Sequence, residues 1–200
     1  MKRMKNKQAE LIKNITDQQL LKSFYFTQLL VFEIAIILAF FLFNHFFDLF
    51  LLFNFSDIRI ITYGVTAGIL VVAIDLFMMK LLPSHYFDDG GINVRLFQNR
   101  GVVQIIFMTL LVAFCEELLF RGVLQTQFGL LVASLIFALI HYRYLFNPFL
   151  LISITFLSFF IGLVFEWTQQ NLAVTFIMHF IIDVLLGLFI YFFCSSKKSD

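Results

Sequence analysis

Residues 101–125 read GVVQIIFMTLLVAFCEELLFRGVLQ, and this stretch decides the fold of the whole chain. Its first fifteen residues carry no charge, which is typical of a helix that crosses a membrane. Three charged residues, Glu116, Glu117 and Arg121, then follow inside the same apolar run. A charged side chain at the centre of a membrane helix costs about 2.5 to 3.5 kcal/mol, so such a group indicates a functional site by default.

The rest of the chain has the same membrane character. Of its 200 residues, 61% are hydrophobic and 30 are Phe, and the mean hydropathy is +0.94. A soluble domain has about 45 to 50% apolar residues, so we expect one membrane domain and no soluble one. The apolar runs predict an all-α, polytopic transmembrane helical bundle of about six spans. The predicted spans are 24–43, 60–82, 101–125, 128–141, 149–165 and 172–193.

The fourth run, 128–141, is short for a full crossing, so we expect it to be tilted or buried among its neighbours. The predicted organisation has four parts. They are a basic N-terminal segment (1–22), two transmembrane helices with a loop (23–100), a membrane core that carries the chemistry (101–193) and a short tail (194–200).

Charge predicts orientation rather than a nucleic-acid partner, since the net charge is only +1. If the N-terminus is cytoplasmic, twelve of the 14 basic residues fall inside, only Arg59 lies in an outside loop, and Arg121 lies within a span. Cytoplasmic loops carry an excess of Lys and Arg, so we expect both termini in the cytoplasm. The predicted inside residues are Lys2, Arg3, Lys5, Lys7, Lys13, Lys22, Lys80, Arg95, Arg100, Arg143, Lys197 and Lys198.

Two histidines further along the chain are candidate partners for the glutamates. His141 ends the fourth run, and His179 lies four residues before Asp183, so that His179 and Asp183 share a helix face. Counted at about 1.5 Å per residue from the outer span ends, Glu116 and these three residues lie about 10 to 20 Å deep in a core of about 30 Å. The four side chains are therefore predicted to meet near the middle of the membrane.

Helical spacing also pairs charges within the first motif. Glu117 and Arg121 are four residues apart and can form an ion pair, which offsets part of the cost of burial. Glu116 points about 100° away and is free for another partner. A carboxylate beside an imidazole in a low-dielectric pocket can activate water as a general base, and His179 with Asp183 can stabilise a developing oxyanion. These residue types therefore predict amide hydrolysis.

Three other interpretations of the polar cluster stay open. It can be a network that only holds helices together, since intramembrane hydrogen bonds average about 0.6 kcal/mol and occur without catalysis. Two histidines and a glutamate are also ligand types for zinc, although the chain has no HExxH sequence. Buried Glu and His can relay protons in a transporter. Glu33 and Asp75, in the first two spans, are predicted to stabilise helix packing, with lining of the cavity or pairing with Arg59 or Arg121 as the alternatives.

Three motifs in this order resemble those of the CPBP family, also called Abi, the intramembrane proteases that include CAAX prenyl endopeptidases and bacteriocin-processing enzymes. The family pattern is Glu-Glu-x-x-x-Arg, then Phe-x-x-x-His, then His-x-x-x-Asn or Asp on successive membrane helices. This chain has Glu116, Glu117 and Arg121, then Phe137 and His141, then His179 and Asp183. The resemblance covers residues 101–193, about half of the chain.

The resemblance implies a glutamate-dependent peptidase that uses neither a metal nor another cofactor. Glu116 with His141 would activate water, and His179 with Asp183 would form the oxyanion site. Three residues, Glu117, Arg121 and Phe137, would support them, with Arg121 holding Glu117.

Family members differ in substrate. Eukaryotic members remove the C-terminal tripeptide of prenylated CAAX proteins, whereas small bacterial members are linked to bacteriocin maturation, to immunity or to regulation of the cell envelope. This short chain resembles the bacterial members, so we expect a membrane-associated peptide or protein as substrate, in the bacterial plasma membrane. The alternative is a non-catalytic scaffold or immunity protein that binds a partner through the same polar cavity.

Overall fold

Helices make up most of the structure, a computed structural model that describes residues 15–195. The described range contains no β-strand, which confirms the all-α prediction. Residues 1–14 and 196–200, which belong to the predicted cytoplasmic ends, lie outside the described residues.

Five helical segments are long and apolar enough to cross a membrane, and they confirm a polytopic helical bundle. They are α1, α3, the joined α5 and α6, α7 and α8. The helices in chain order are α1 (Asp17–Leu42), α2 (Asp48–Leu51), α3 (Ile60–Leu81, π-helical over Ile60–Val65), α4 (Ile92–Phe97), α5 (Val102–Glu117, continued as a π-helix over Leu118–Gln125), α6 (Thr126–Ile140), α7 (Pro148–Trp167) and α8 (Leu172–Ser195). Short 3₁₀ turns occupy Ser84–Phe87 and Tyr142–Phe146.

The third and fourth predicted spans form one helical run, Val102–Ile140, that folds back on itself. Its 39 residues would extend about 58 Å as a straight helix, nearly twice the thickness of a hydrocarbon core. Gly129 breaks the run with φ 82° and ψ 168°, a conformation almost restricted to glycine. As a result the rings of Phe120 and Phe137, which a straight helix would hold about 25 Å apart, lie 4.8 Å apart between centroids. The fourth predicted span is therefore the short second arm of a hairpin. One side of this arm packs through Ala133, Ser134, Phe137 and Ala138 and the other side is exposed, so the expectation that it is buried among its neighbours is wrong.

We expect Gly129→Ala to lower the free energy of unfolding by about 1 to 3 kcal/mol, because alanine does not readily adopt this backbone conformation. The matched control is Gly101→Ala, since an added Cβ meets nothing within 4 Å at either position and only Gly129 has a positive φ. Denaturant titration of both variants in detergent micelles measures the difference. Equal stability of the two variants would show that the hairpin does not depend on Gly129.

Contacts between loops define the two ends of the bundle. At the first end, Arg95 forms an ion pair with Asp17 at 2.8 Å, and Asn147 Nδ2 donates to the carbonyl of Tyr86 at 2.8 Å. These contacts join the start of α1, the loop before α5 and the loop before α7. The second end is formed by the loops before α3 and before α8, which are held together by Asn171. The start of α1 and the loops before α5 and α7 therefore lie at one end, and the loops before α3 and α8 lie at the other.

Asn171 holds the loops of the second end together through both hydrogen-bonding groups of its side chain. Its Oδ1 accepts from the backbone N–H of Asn54 at 3.1 Å and of Ala173 at 3.0 Å. Its Nδ2 donates to the Asn54 carbonyl and to Asp57 Oδ2, both at 3.0 Å. The Arg59 guanidinium beside Asp57 holds the pKa of that carboxyl well below its usual range. The lowered pKa means that this contact stabilises the fold above the ordinary pKa of Asp, and that the stabilisation is lost on strong acidification.

Helix α8 packs closely on α3 because α3 presents two glycines four residues apart. A Cβ added at Gly64 would lie 2.8 Å from the Val174 carbonyl oxygen, and one at Gly68 would lie 3.0 Å from the Met178 carbonyl oxygen. Small residues at this spacing let membrane helices approach along their backbones. The contact fixes the rotation of α8, and this rotation decides where its His and Asp side chains point.

Candidate functional site

His179 lies at the centre of the polar cluster. Its Nδ1 lies 3.0 Å from Glu117 Oε1, and because an ionised carboxylate can only accept, the ring N–H donates this hydrogen bond. On the other side of the ring, Nε2 lies 3.5 Å from Asp183 Oδ2 and 4.0 Å from Glu116 Oε2. Three carboxyl groups thus surround one imidazole, and these contacts bring together the first and third motifs.

Two helices supply these side chains. Glu116 and Glu117 end the α-helical part of α5, which then widens into a π-helix over Leu118–Gln125. Segments of π-helix are rare in proteins as a whole, but those that occur are often found at functional sites. On α8, His179 and Asp183 are one turn apart and face α5 together.

The cluster is closed to the surroundings except at one residue. Arg121 is 0% exposed, Glu117 is 1% exposed and His179 is 5% exposed. The side chain of Asp183 is 30% exposed, which makes it the most accessible of the three carboxyls. Asp183 is therefore the carboxyl through which the cluster is most open to its surroundings.

Arg121 is held mainly by α7 rather than by the glutamate four residues before it. Its Nη2 donates to the Ser158 carbonyl at 2.9 Å and to Ser158 Oγ at 3.0 Å, and its Nη1 donates to Gln125 Oε1 at 3.3 Å. Its Nε lies 3.7 Å from Glu117 Oε2, a distance too long for a hydrogen bond. The predicted Glu117–Arg121 ion pair is present, but the prediction of a simple α-helical pair misses the π-helix between them and misses the hydrogen bond that Glu117 accepts from His179.

His141 ends α6 and has a fixed ring orientation. Its Nδ1 lies 2.8 Å from the Phe137 carbonyl and donates to it, because a carbonyl can only accept. The ring packs on Phe137 at 4.6 Å and on Tyr144 at 5.9 Å between centroids. The structure forms no hydrogen bond or ion pair between His141 and Glu116, so the pairing that the family resemblance implies is not a direct contact here. His141 does lie near enough to His179 for their charges to interact.

Phe137 has the supporting position that the motif implies. Its ring packs edge to face on Phe120 and lies 5.8 Å from the Arg121 guanidinium carbon. The cation thus has an aromatic face beside it, which is a favourable contact at a buried position. Phe137 also joins the two arms of the hairpin.

Sequence reasoning missed the residues that hold Arg121. On α7, Ser158, Gly162 and Glu166 are spaced four apart, and all three face the hairpin: Ser158 accepts from Arg121, and the other two accept from Gln125. A stripe of small and polar residues in an otherwise apolar helix was the available signal. A further basic residue, Arg143, lies near enough to Glu116 and Asp183 to attract both carboxyls.

Among the described residues, no three His, Cys, Asp or Glu side chains are arranged to hold a metal ion. Independence from zinc nevertheless stays a prediction that a chelator must test.

Glu33 and Asp75 do not join the cluster. Glu33 is exposed on the outer face of α1, and Asp75 is half-buried in α3. Neither forms a hydrogen bond or an ion pair with another residue in the described range. No hydrogen bond or ion pair in the described range therefore supports the predicted packing role of Glu33 or Asp75.

Residues 98–185 match the family described as type II CAAX prenyl endopeptidase Rce1-like. The matched region contains all three motifs. The chain is also 49% identical over 161 residues to the uncharacterized protein YpbD of Bacillus subtilis (strain 168), an alignment that covers 80% of this chain and 85% of that protein. No solved structure matches.

The motifs, the family match and the similarity to YpbD over most of both chains agree with one another. The matched region is also the part of the bundle in which the polar cluster is assembled. The chain therefore belongs to the Rce1-like family of membrane proteins, in agreement with its resemblance to the CPBP family.

Proposed function

We propose that this protein is an intramembrane, glutamate-dependent endopeptidase that hydrolyses a peptide bond in a membrane-associated peptide or protein. The observation that carries the proposal is the pair formed by Glu116 Oε2 and His179 Nε2, which lie 4.0 Å apart on residues that are 9% and 5% exposed. This gap is too long for a direct hydrogen bond, but a single oxygen atom can lie about 2.8 Å from both groups. Membership of a CAAX protease family supports the proposal.

Glu116 is the best candidate for the general base. Glu116 is 9% exposed as a whole residue. Its carboxyl group forms no hydrogen bond with the described residues, so its lone pairs are available to a water molecule. Glu117, in contrast, already accepts a hydrogen bond from His179. The two adjacent glutamates therefore have different roles, one in chemistry and one in holding the histidine.

His179 is the candidate donor to the oxyanion. With Nδ1–H donating to Glu117, His179 donates from Nε2 as well only as an imidazolium, and the Nε2–H of that ion points into the gap beside Glu116 and Asp183. A preorganised donor aimed at a developing negative charge is often the largest contribution to catalysis. Asp183, 3.5 Å from Nε2, orients the ring when it is ionised and can itself donate only when it is protonated.

His141 is the candidate second group on the attacking water. Because its Nδ1 donates to the Phe137 carbonyl, a neutral ring has Nε2 available as an acceptor. A water molecule shared by Nε2 and the Glu116 carboxylate would give the Glu116–His141 pairing that the family resemblance implies.

The proposed cellular setting is the plasma membrane of a bacterium, with both termini in the cytoplasm. The distribution of basic residues supports this orientation, since Lys and Arg favour the cytoplasmic side. Bacteriocin maturation, or immunity of the cell to its own bacteriocin, is the role that the resemblance to small bacterial CPBP members implies. We propose membrane-inserted peptides of this kind as the substrate class.

The proposal is tested by incubating the purified protein in micelles with a panel of fluorogenic membrane peptides, with and without a zinc chelator. We expect cleavage that persists under chelation and that falls at least about 100-fold in His141→Ala, the lower range for loss of an acid–base group. Loss of cleavage on chelation would favour the zinc hypothesis. Peptides that the wild type binds but does not cleave would favour the non-catalytic scaffold.

A further inference from the structure

We propose that Gln125 and Glu166 are positioning residues for the reaction, acting from the second end of the bundle on His179 through Arg121 and Glu117. This inference rests on the proposed function and extends it beyond the three motifs. The name positioning arm is used here for the side chains of Arg121, Gln125 and Glu166.

The arm is a continuous series of polar contacts from the exposed end of α7 to the buried histidine. Glu166, which is exposed, accepts from Gln125 Nε2 at 3.3 Å, and Gln125 Oε1 accepts from Arg121 Nη1 at 3.3 Å. Arg121 Nε then lies 3.7 Å from Glu117 Oε2, and the other oxygen of Glu117 accepts from His179 at 3.0 Å. Each member is within contact distance of the next, so a displacement at one end is transmitted along the series.

Gln125 can hold Arg121 only in one orientation of its amide, and α7 sets that orientation. Its Nε2 faces the Gly162 carbonyl at 2.8 Å and the Glu166 carboxylate at 3.3 Å, both of which can only accept. The amide nitrogen must therefore point to α7, which turns Oε1 toward the Arg121 guanidinium. Gln125 is 4% exposed, so water offers it few other partners.

Arg121 needs this support because its position relative to Glu117 is not fixed by a direct hydrogen bond. Arg121 Nε and Glu117 Oε2 are both buried without a hydrogen-bond partner among the described residues. Their attraction across 3.7 Å contributes to holding the Glu117 carboxylate in place, and it depends on the guanidinium staying where Ser158 and Gln125 hold it. The arm thereby keeps Glu117 Oε1 within hydrogen-bond distance of His179.

Four variants test the arm. Gln125→Met removes both hydrogen-bonding groups with little change in length, and Glu166→Leu removes the outer acceptor at an exposed position that packing does not require. Glu166→Gln keeps an acceptor oxygen and is the conservative rescue. The matched control is Glu33→Leu. It removes a carboxylate at another exposed glutamate, one that forms no hydrogen bond or ion pair with the described residues.

The first readout needs no substrate. The ring nitrogens of His179 are followed by NMR in protein labelled with ¹⁵N-histidine, with His179→Gln used to assign them among the four histidines. We expect the His179 signals to move in Gln125→Met and in Glu166→Leu, and to stay in place in Glu166→Gln and Glu33→Leu. Unchanged His179 signals in both Gln125→Met and Glu166→Leu would overturn the inference, and if Gln125→Met does not fold, Glu166→Leu alone decides.

The second readout is steady-state kinetics on a peptide that the wild type cleaves. We expect kcat to fall about 10-fold in Glu166→Leu with KM unchanged, which corresponds to the loss of one hydrogen bond's contribution to the barrier. We also expect the acid side of the pH–rate profile to shift, since Glu117 is held less firmly beside the cation. If Glu166 had only a structural role, Glu166→Leu would change the yield of folded protein and its free energy of unfolding. It would neither shift the pH–rate profile nor lower kcat at unchanged KM. Shifted NMR signals with no cleavage of any peptide by the wild type would support the arm and contradict the proposed function.

Discussion

Glu116→Gln is expected to lower kcat for peptide hydrolysis by about 100- to 10,000-fold, the range for loss of a general base. Glutamine keeps the length and shape of the side chain but cannot take a proton from water. In the structure, Glu117 cannot replace it, because Glu117 points to the opposite nitrogen of His179. Stopped assays on a cleaved membrane peptide, with protein concentration matched, measure the effect.

Two observations separate this loss from misfolding. The amide of glutamine is neutral and the Glu116 carboxyl forms no hydrogen bond with described residues, so unfolding of Glu116→Gln should follow the wild type closely. Glu33→Gln, the same change at an exposed glutamate outside the cluster, should retain full activity. Activity within about threefold of the wild type in Glu116→Gln would remove this residue from the proposed mechanism, because a lost general base costs far more than that.

Arg121→Met should lower the free energy of unfolding by about 3 to 5 kcal/mol, the range for removing one partner of a buried ion pair. Arg121 is 0% exposed, and its loss leaves Glu117 Oε2, Ser158 Oγ and Gln125 Oε1 without their donor or counter-charge. Methionine fills much of the same volume, so the loss is electrostatic more than steric. Denaturant titration in micelles gives the value.

The double variant Glu117→Gln/Arg121→Met provides the control. Because the two residues form one ion pair, removing both should cost less than the sum of the single changes. Strict additivity, or a cost below about 1 kcal/mol for Arg121→Met alone, would mean that the buried cation contributes little to the fold.

Much of the architecture could be predicted because apolar length alone indicates a membrane helix. Three spans end within two residues of their predicted ends, at Leu42, Leu81 and Trp167. The start of α1 was predicted seven residues late, at 24 instead of Asp17, since polar residues can continue a helix beyond the apolar core. There the helix begins at a capping box formed by Thr16 and Gln19, which hydropathy does not detect.

The reversal between α5 and α6 could be located only approximately from hydropathy. The predicted spans 101–125 and 128–141 are separated at 126–127, whereas the backbone breaks at Gly129, and the break depends on the positive φ of that single residue. An isolated glycine in a helical pattern is common and does not by itself indicate a reversal. What the sequence did indicate is that 128–141 is too short to cross a membrane fully.

At the site, too, the sequence predicts which residue types are present but not the geometry of their contacts. The motifs predicted that Glu116, His141, His179 and Asp183 meet. The structure brings the carboxyls of Glu116, Glu117 and Asp183 around the imidazole of His179, and His141 forms no direct contact with Glu116. Spacing could not predict which glutamate bonds His179, because that depends on the π-helix after Glu117 and on the rotation of α8 against α3. Both are set by packing between helices, which a single sequence does not contain.

The central claim is that Glu116 drives metal-independent hydrolysis of a peptide bond inside the membrane. The most direct test incubates wild type and Glu116→Gln in lipid vesicles with a pool of membrane peptides in ¹⁸O-labelled water containing a chelator, and finds new C-termini by mass spectrometry. We predict new termini carrying one ¹⁸O atom with the wild type and none with Glu116→Gln. Equal products from both proteins, or no product from the wild type, would contradict the claim.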